Sequence, residues 1–344
     1  MIPAPRAYDR WIRSHVPRSL LTVCVGILLA PGGGLPFATS ASAAAPATTR
    51  IYVTNYLDNT ASVIDGSTRK IVATVRVGVA PTQMAVSPDR RSIYIANAGS
   101  NTVSVLNTTN NTIARTMALP RRSRPTGVAL SPNGRYLYTA DGGSNRVSVL
   151  DTRTKRVVAS ARVGTQPVSV AVAADGKTVY TANSGSGDVS VIDGRTTRVV
   201  RSIPTGRFPS GVAVTPDGAS IYVTNELSGV TVINAANGTV QARLPEPSPF
   251  SVAVSPNGDR AYVTDLGPGT LTVIDTRTHR VSSTVSIGPY GTDPFTVVTT
   301  GDAVYVANQG ANTLSVIDPS TFKVTATVAT GNSPYGIAVV QPRR

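Results

Sequence analysis

Apolar and polar residues alternate in short runs along most of the chain, and clusters of Gly, Pro, Asn and Asp separate one run from the next. Alternation with a period of two is the pattern of a strand with one buried face, and the separating residues are typical of tight turns. No helical period continues for more than a few residues within these runs. The pattern therefore predicts an all-β chain built from many short strands.

One short run, IYVTN at residues 51–55, recurs in seven near copies. Each copy carries a tyrosine at the same position: Tyr52, Tyr94, Tyr138, Tyr180, Tyr222, Tyr262 and Tyr305. Their spacings are 42, 44, 42, 42, 40 and 43 residues, and a period near forty is typical of propeller blades or of helical arrays. The strand-like composition of each unit favours the propeller.

The unit at residues 168–203 divides into four predicted strands, VSVAVA, VYTAN, VSVID and RVVRSI, with turn sequences between them. Four short antiparallel strands form one blade of a β-propeller. The chain starts with a second strand, whereas its last run, YGIAVV at 335–340, matches the first strand of the other units. We therefore predict a seven-bladed β-propeller with four antiparallel strands per blade, in which the C-terminal strand completes the first blade and closes the ring.

The recurring Y-V-T-N and S-V-I-D runs make residues 51–344 resemble the YVTN family of β-propeller repeat proteins. The resemblance implies a seven-bladed ring that is commonly exported or held at the cell surface, and a relationship to lactonase-like propellers. Tryptophan is absent after Trp11, which separates the chain from WD40 blades and from quinone-cofactor propellers. We predict no cofactor.

The first 43 residues have the layout of an export signal rather than of a folded element. Four arginines precede the apolar run at 19–30, and Ala41-Ser42-Ala43 fits the small-residue rule for cleavage. A retained membrane anchor is the alternative, but the run is shorter than the roughly 18–20 residues that a span needs. We predict a signal peptide at 1–43, a linker at 44–50, and a secreted or envelope-associated propeller without a transmembrane anchor.

The chain contains 32 Lys and Arg against 18 Asp and Glu, a formal net charge of +14, and +11 remains after the four Arg and one Asp of residues 1–43. Such a charge favours anionic partners, such as nucleic acid or a polymer of the cell envelope.

Basic residues concentrate at one end of the predicted ring. The bottom end is formed by the loops that join the first strand to the second and the third strand to the fourth. The top end is the opposite end of the ring. Six bottom-end residues are candidate contacts for an anionic surface: Arg153, Lys155, Arg195, Arg198, Arg277 and Arg280. The alternative is that charges beside the outer strands prevent edge-to-edge pairing.

Residues suited to catalysis are few. His279 is the only histidine after residue 15, and its RTHR turn predicts a solvated side chain. Asn or Asp ends every tyrosine strand and Asp ends most S-V-I-D strands, and equal copies favour a turn-forming role over a ring of ligands. An alternative is an acidic cluster near one end of the ring: Glu226, Glu246, Asp265 and Asp293. We predict no catalytic residue and no metal site.

The top end departs from the repeat. A proline opens every first strand, and the next residue is Thr, Val or Ser in four blades but aromatic in three adjacent ones: Phe250, Phe295 and Tyr335. Across the ring, the predicted longest loop at this end, LPRRSRP, carries three basic residues: Arg121, Arg122 and Arg124. Together these side chains suit a ligand with an apolar ring and an anionic group. Packing of the aromatics over neighbouring blades is the alternative.

These observations favour a non-catalytic binding or scaffold propeller, which we expect to be monomeric and to recognise a small molecule or protein at the channel mouth. A lactonase-like hydrolase acting in the channel is a second hypothesis, and it rests on fold analogy. A binder of nucleic acid or anionic polymer is a third and rests on net charge, because no longer aromatic series is interleaved with basic residues.

Overall fold

The computed structural model describes residues 48–342. The predicted signal peptide, 1–43, lies outside the described residues, as does most of the predicted linker. Within 48–342 the chain forms 28 strands in seven four-stranded antiparallel sheets. Each sheet is one blade, and the predicted seven-bladed all-β propeller is confirmed.

The blades are numbered along the chain, and the strands of each are given from the innermost outwards. Blade 1 contains β28 (Pro334–Val340), β1 (Arg50–Asn55), β2 (Thr60–Asp65) and β3 (Ile71–Arg76). Blade 2 contains β4 (Pro81–Val86), β5 (Ser92–Asn97), β6 (Thr102–Asn107) and β7 (Thr112–Ala118). Blade 3 contains β8 (Pro125–Leu130), β9 (Tyr136–Asp141), β10 (Arg146–Asp151) and β11 (Arg156–Arg162). Blade 4 contains β12 (Pro167–Val172), β13 (Thr178–Asn183), β14 (Asp188–Asp193) and β15 (Arg198–Pro204). Blade 5 contains β16 (Pro209–Val214), β17 (Ser220–Asn225), β18 (Gly229–Asn234) and β19 (Val240–Leu244). Blade 6 contains β20 (Pro249–Val254), β21 (Arg260–Asp265), β22 (Thr270–Asp275) and β23 (Arg280–Ser286). Blade 7 contains β24 (Pro294–Thr299), β25 (Val304–Asn308), β26 (Thr313–Ile317) and β27 (Val324–Ala329).

The last strand closes the ring as the sequence predicts. β28 pairs antiparallel with β1, and the register places Tyr52 opposite Ala338 and Val53 opposite Ile337. β28 also contacts the inner strands of both neighbouring blades, β4 and β24. The C-terminal strand therefore completes the blade that the N-terminal strands begin, so no gap separates the first blade from the last.

The core lies between neighbouring blades rather than within one sheet. Seven apolar clusters of described residues each join two adjacent blades. In one of them, Tyr180 and Val191 of blade 4 pack against Ile221 and Ile233 of blade 5. Because alternate residues of a strand face opposite sides of the sheet, the repeated apolar pattern provides both faces of each blade with buried side chains. The recurrent tyrosine is thus a core residue.

The aspartates that end the third strands shape the turns into the outer strands. Asp193 Oδ1 accepts hydrogen bonds from the N–H groups of Thr196 and Arg195, at 2.7 and 2.9 Å. These bonds lower the pKa of Asp193, with the Thr196 N–H as the largest cause. Equivalent bonds form at the other copies: Asp65, Asp151, Asp275 and Asp318. The turn-forming role predicted for these residues is confirmed.

Candidate functional site at the top end

The Asn and Asp residues that end the second strands form a buried ring at the top end. In blade 1, Asn55 Nδ2 donates hydrogen bonds to the hydroxyls of Thr60 and Ser62, each at 2.9 Å. The same bond to the third strand recurs in other blades: Asn97 to Ser104, Asn183 to Ser190 and Asn308 to Ser315. A structural role is thus correct, and the amide nitrogens of these four asparagines donate to hydroxyls of the third strand, because the register sets Asn55 directly opposite Thr60. In blade 5, Asn225 Nδ2 also donates to the backbone carbonyl of Gly229 in the following hairpin, at 3.1 Å.

Blades 3 and 6 carry an acid in this ring. Burial raises the pKa of Asp141 to about 6, even though the Ser148 and Thr139 hydroxyls donate to its carboxylate. Burial likewise raises the pKa of Asp265 to about 7, and the neighbouring Glu246 carboxylate adds to the increase. These two acids are therefore the ring positions where protonation changes near neutral pH.

The three predicted aromatic residues come together at the top of adjacent inner strands. The ring centroids of Phe250 and Phe295 are 3.9 Å apart, and Tyr335 meets Phe295 edge-on at 4.6 Å. The three side chains are only 9, 6 and 4 % exposed, respectively. They are packed together rather than exposed at the channel mouth, because rings larger than the Thr, Val or Ser of the other blades reach one another.

Two more residues complete this group, which we call the aromatic cluster and define as Tyr56, Phe250, Leu266, Phe295 and Tyr335. Tyr56 stacks on Tyr335 with ring centroids 6.1 Å apart and an interplanar angle of 24°. Tyr56 and Leu266 are half-buried, so they offer the accessible surface of the cluster. The cluster is distinct from the seven that hold neighbouring blades together.

Sequence reasoning missed Tyr56 and Leu266, although the repeat contains a signal for them. Both follow the Asn or Asp of the ring, a position that is small in three other blades: Ala98, Gly142 and Ser184. Blade 7, between them, carries Gln309 there, and its Nε2 is buried with no hydrogen-bond partner among the described residues. Comparing one position across all seven units would have revealed this departure.

Arg124 lies close enough to the aromatic cluster for its charge to act on Tyr56. Arg121, Arg122 and Arg124 are all exposed in the loop at 119–124 that enters blade 3. Burial raises the pKa of Tyr56, and the positive charge of Arg124 acts against this increase, so the guanidinium lies within electrostatic range of the Tyr56 hydroxyl.

The loop of the three arginines is not the longest at the top end. The loop that enters blade 7 spans seven residues, 287–293, against six for 119–124. It carries Tyr290, whose side chain is 88 % exposed. The loop at 287–293 therefore places an exposed aromatic side chain on the side of the ring that holds the aromatic cluster.

The six basic residues predicted to contact anions lie at the bottom end, in or beside the turns into the outer strands. Five of them are exposed: Arg153, Arg195, Arg198, Arg277 and Arg280. Lys155 is half-buried, and its Nζ lies 5.9 Å from the ring centroid of Tyr94 in the preceding blade. Lys155 therefore covers a core tyrosine, while an anionic partner for the other five stays a prediction.

His279 is not the solvated side chain that its turn predicts. Its Nδ1 lies 2.8 Å from the hydroxyl of Tyr222 in the preceding blade, and the side chain is half-buried. In blade 2 the same turn position holds Asn111, whose Oδ1 accepts a hydrogen bond from Tyr52 at 2.9 Å. His279 thus caps a core tyrosine, as Asn111 does.

Of the four acids considered as a cluster, Glu246 and Asp265 meet at a shared partner, Thr272. Within the described part of the chain, no three His, Cys, Asp or Glu side chains are grouped so as to hold a metal ion.

Two cavities lined by described residues lie away from the aromatic cluster. One, of about 520 Å³, opens at the top end between blades 4 and 5 and is lined by 184–187, 204–208 and Arg243. The other, of about 890 Å³, opens at the bottom end, where Arg90 and Asp302 lie among its walls.

The seven four-stranded blades and the closing pair of β28 with β1 define the class of this protein as a seven-bladed β-propeller. A family model described as "YNCE-like beta-propeller" matches residues 11–186, just over half of the chain, and the chain belongs to this family. No curated protein sequence matches it. None of the described residues forms a helix long and apolar enough to span a membrane.

Solved structures share the architecture at low sequence identity. A structure titled "Kuenenia stuttgartiensis Hydrazine Synthase" is 25% identical with a TM-score of 0.71, and the match covers 84% of this chain and 99% of that chain. A protein of unknown function from Desulfotomaculum acetoxidans is 16% identical with a TM-score of 0.72, covering 86% and 99%. Dihydro-heme d1 dehydrogenase NirN in complex with DHE is 15% identical with a TM-score of 0.62, covering 81% of this chain and 63% of that one. The last two likenesses concern the fold alone.

Proposed function

We propose that this protein is an exported binding propeller that holds a small ligand, with an apolar ring and an anionic group, at the top of its channel. The observation that carries the proposal is the aromatic cluster, which joins three adjacent blades around the inner strands. The repeat does not need an aromatic side chain there, because the other four blades carry smaller residues: Thr82, Thr126, Val168 and Ser210. Residues that a fold does not require are candidates for function.

The chemistry of the mouth supports such a ligand. Tyr56 and Leu266 provide half-exposed apolar surface for a flat ring. Arg124 provides a planar fork that binds a carboxylate through two parallel hydrogen bonds. Arg124 is exposed, so a ligand carboxylate at the mouth can reach its guanidinium.

Calorimetric titration with 2-naphthoate, a fused ring with one carboxylate, tests this proposal. We expect binding to the protein of residues 44–344, and a loss of at least about tenfold in affinity in Arg124→Asn, equivalent to about 1.4 kcal/mol. Asn tolerates the left-handed backbone that Arg124 adopts at φ 47°, so the variant keeps the loop. Arg153→Asn, at the bottom end, is the matched control. Undetectable binding, or an affinity that Arg124→Asn leaves unchanged, would overturn the proposal.

A further inference from the structure

Blade 6 carries two acids at positions where the repeat carries neutral residues. Three residues before the opening proline, five blades have glycine, namely Gly78, Gly164, Gly206, Gly291 and Gly331, and blade 3 has Arg122. Blade 6 has Glu246 there. The ring position is asparagine in five blades, but blade 6 has Asp265. Both departures therefore fall in the same blade.

The repeat uses glycine at this loop position for a steric reason. A Cβ on Gly331 would lie 2.6 Å from Cγ of Asn55, closer than real contacts allow. The Gly331 N–H instead donates to Asn55 Oδ1 at 3.1 Å. In blade 6 the Glu246 N–H donates to Leu244 O at 3.0 Å. The loop of blade 6 thus accommodates the Glu246 carboxylate next to the ring of Asn and Asp residues. Its backbone N–H donates to Leu244 O rather than to Asp265.

The two carboxylates converge on one hydroxyl. Thr272 Oγ1 lies 2.8 Å from Asp265 Oδ2 and 3.1 Å from Glu246 Oε2. A hydroxyl has one proton to donate and two lone pairs that accept, so it satisfies only one of the two carboxylates. When both acids are ionised, the other contact brings two electron-rich oxygens together, and it becomes favourable when a proton or a metal cation lies between them.

No basic side chain compensates these acids. The ion pairs among the described residues are Arg50 with Asp65 and Arg135 with Asp151. Asp265 is 1 % exposed, and its Oδ1 has no hydrogen-bond partner in the described part of the chain. The equivalent oxygen is also unpaired in three other blades, on Asn183, Asn225 and Asn308. Those are neutral amides, whereas an unpaired buried carboxylate oxygen has a far larger desolvation cost.

We propose that Glu246, Asp265 and Thr272 bind a divalent cation of the oxygen-preferring type, such as Ca²⁺. Such a cation takes carboxylate and hydroxyl oxygens together, uses the lone pairs of Thr272 rather than its proton, and neutralises both acids. Glu246 is half-exposed, so water reaches the site to complete the coordination shell. The site involves no residue of the aromatic cluster, and its test is independent of the ligand proposed there.

Metal titration of the protein of residues 44–344 at pH 8 tests this site. Mn²⁺, followed by electron paramagnetic resonance, is expected to bind once per chain, with a Kd in the range of about 10⁻⁴ to 10⁻³ M that extracellular calcium modules show. Excess Ca²⁺ is expected to displace the Mn²⁺ and to raise the melting temperature. Glu246→Gly with Asp265→Asn restores the residues that other blades carry, so the double variant is expected to fold and to bind neither ion.

The matched control is Asp141→Asn, which makes the same ring substitution in blade 3 and is expected to leave Mn²⁺ binding unchanged. Absence of stoichiometric Mn²⁺ binding in the unmodified protein would overturn the site and would show that a shared proton alone reconciles the two acids. Retention of the bound ion in the double variant would also overturn it, because the ion would then lie elsewhere.

Discussion

Asp141 places an ionisable carboxyl at a buried position where five other blades carry neutral asparagine. It is 1 % exposed and accepts hydrogen bonds from Ser148 Oγ at 2.5 Å and Thr139 Oγ1 at 2.8 Å. Neutral asparagine occupies the same place in five blades, and the side-chain shape hardly differs. What differs is the charge: burial favours the protonated form, which is why the pKa of Asp141 rises from 3.8 to about 6.

We predict that this residue makes stability fall as pH rises. A pKa that is higher in the folded than in the unfolded chain means that the unfolded chain ionises first, so the free energy of unfolding decreases between about pH 4 and pH 6 and then levels off. Asp141→Asn removes this loss, and the difference from the unmodified protein should grow to at most about 3 kcal/mol above pH 6. Urea unfolding at several pH values measures it, with the exposed Asp175→Asn as control. A difference that is constant from pH 4 to pH 8 would contradict the prediction.

At the scale of the element, β28 is the strand that closes the ring, because it pairs with β1, which lies almost 300 residues earlier in the chain. Its pairing with β1 and its contacts with β4 and β24 supply the innermost layer of blade 1. Inside this layer, the Gly336 N–H donates a hydrogen bond to Thr54 Oγ1 at 2.7 Å. Without β28, β1 would expose an unpaired edge to the channel.

Deletion of residues 333–344 is expected to cause aggregation or a large loss of thermal stability, since it removes the inner strand of one blade and opens the ring. Differential scanning calorimetry with light scattering measures both effects. Removal of residues 343–344 alone, which leaves β28 whole, is the control. A 333–344 deletion that melts like the control would show that the ring does not depend on this strand.

Most elements were predictable from sequence because they are repeated. The residues at 168–203 form strands within one or two positions of those predicted, and the closing role of YGIAVV follows from its match to the other first strands. The candidate site was less predictable, since it depends on distances between blades. The adjacency of Phe250, Phe295 and Tyr335 follows from blade order, but their burial, the contribution of Tyr56 and the meeting of Glu246 with Asp265 at Thr272 depend on side-chain reach.

At the scale of the whole molecule, the two ends of the ring differ in kind. The bottom end is basic and repetitive, with arginines that recur at equivalent turns and a lysine that covers a tyrosine of the preceding blade. The top end differs from blade to blade. Blades 6, 7 and 1 carry the aromatic cluster and the longest loop, and blade 3 carries the arginine loop. The departures from the repeat thus concentrate at the top end of the ring.

A crystal structure of the protein soaked with 2-naphthoate tests this account most directly. We predict that the naphthalene ring lies against Tyr56 and Leu266, with its carboxylate directed towards Arg124. Ligand density in the bottom-end cavity beside Arg90, or between blades 4 and 5 beside Arg243, with the aromatic cluster unchanged and unliganded, would contradict it.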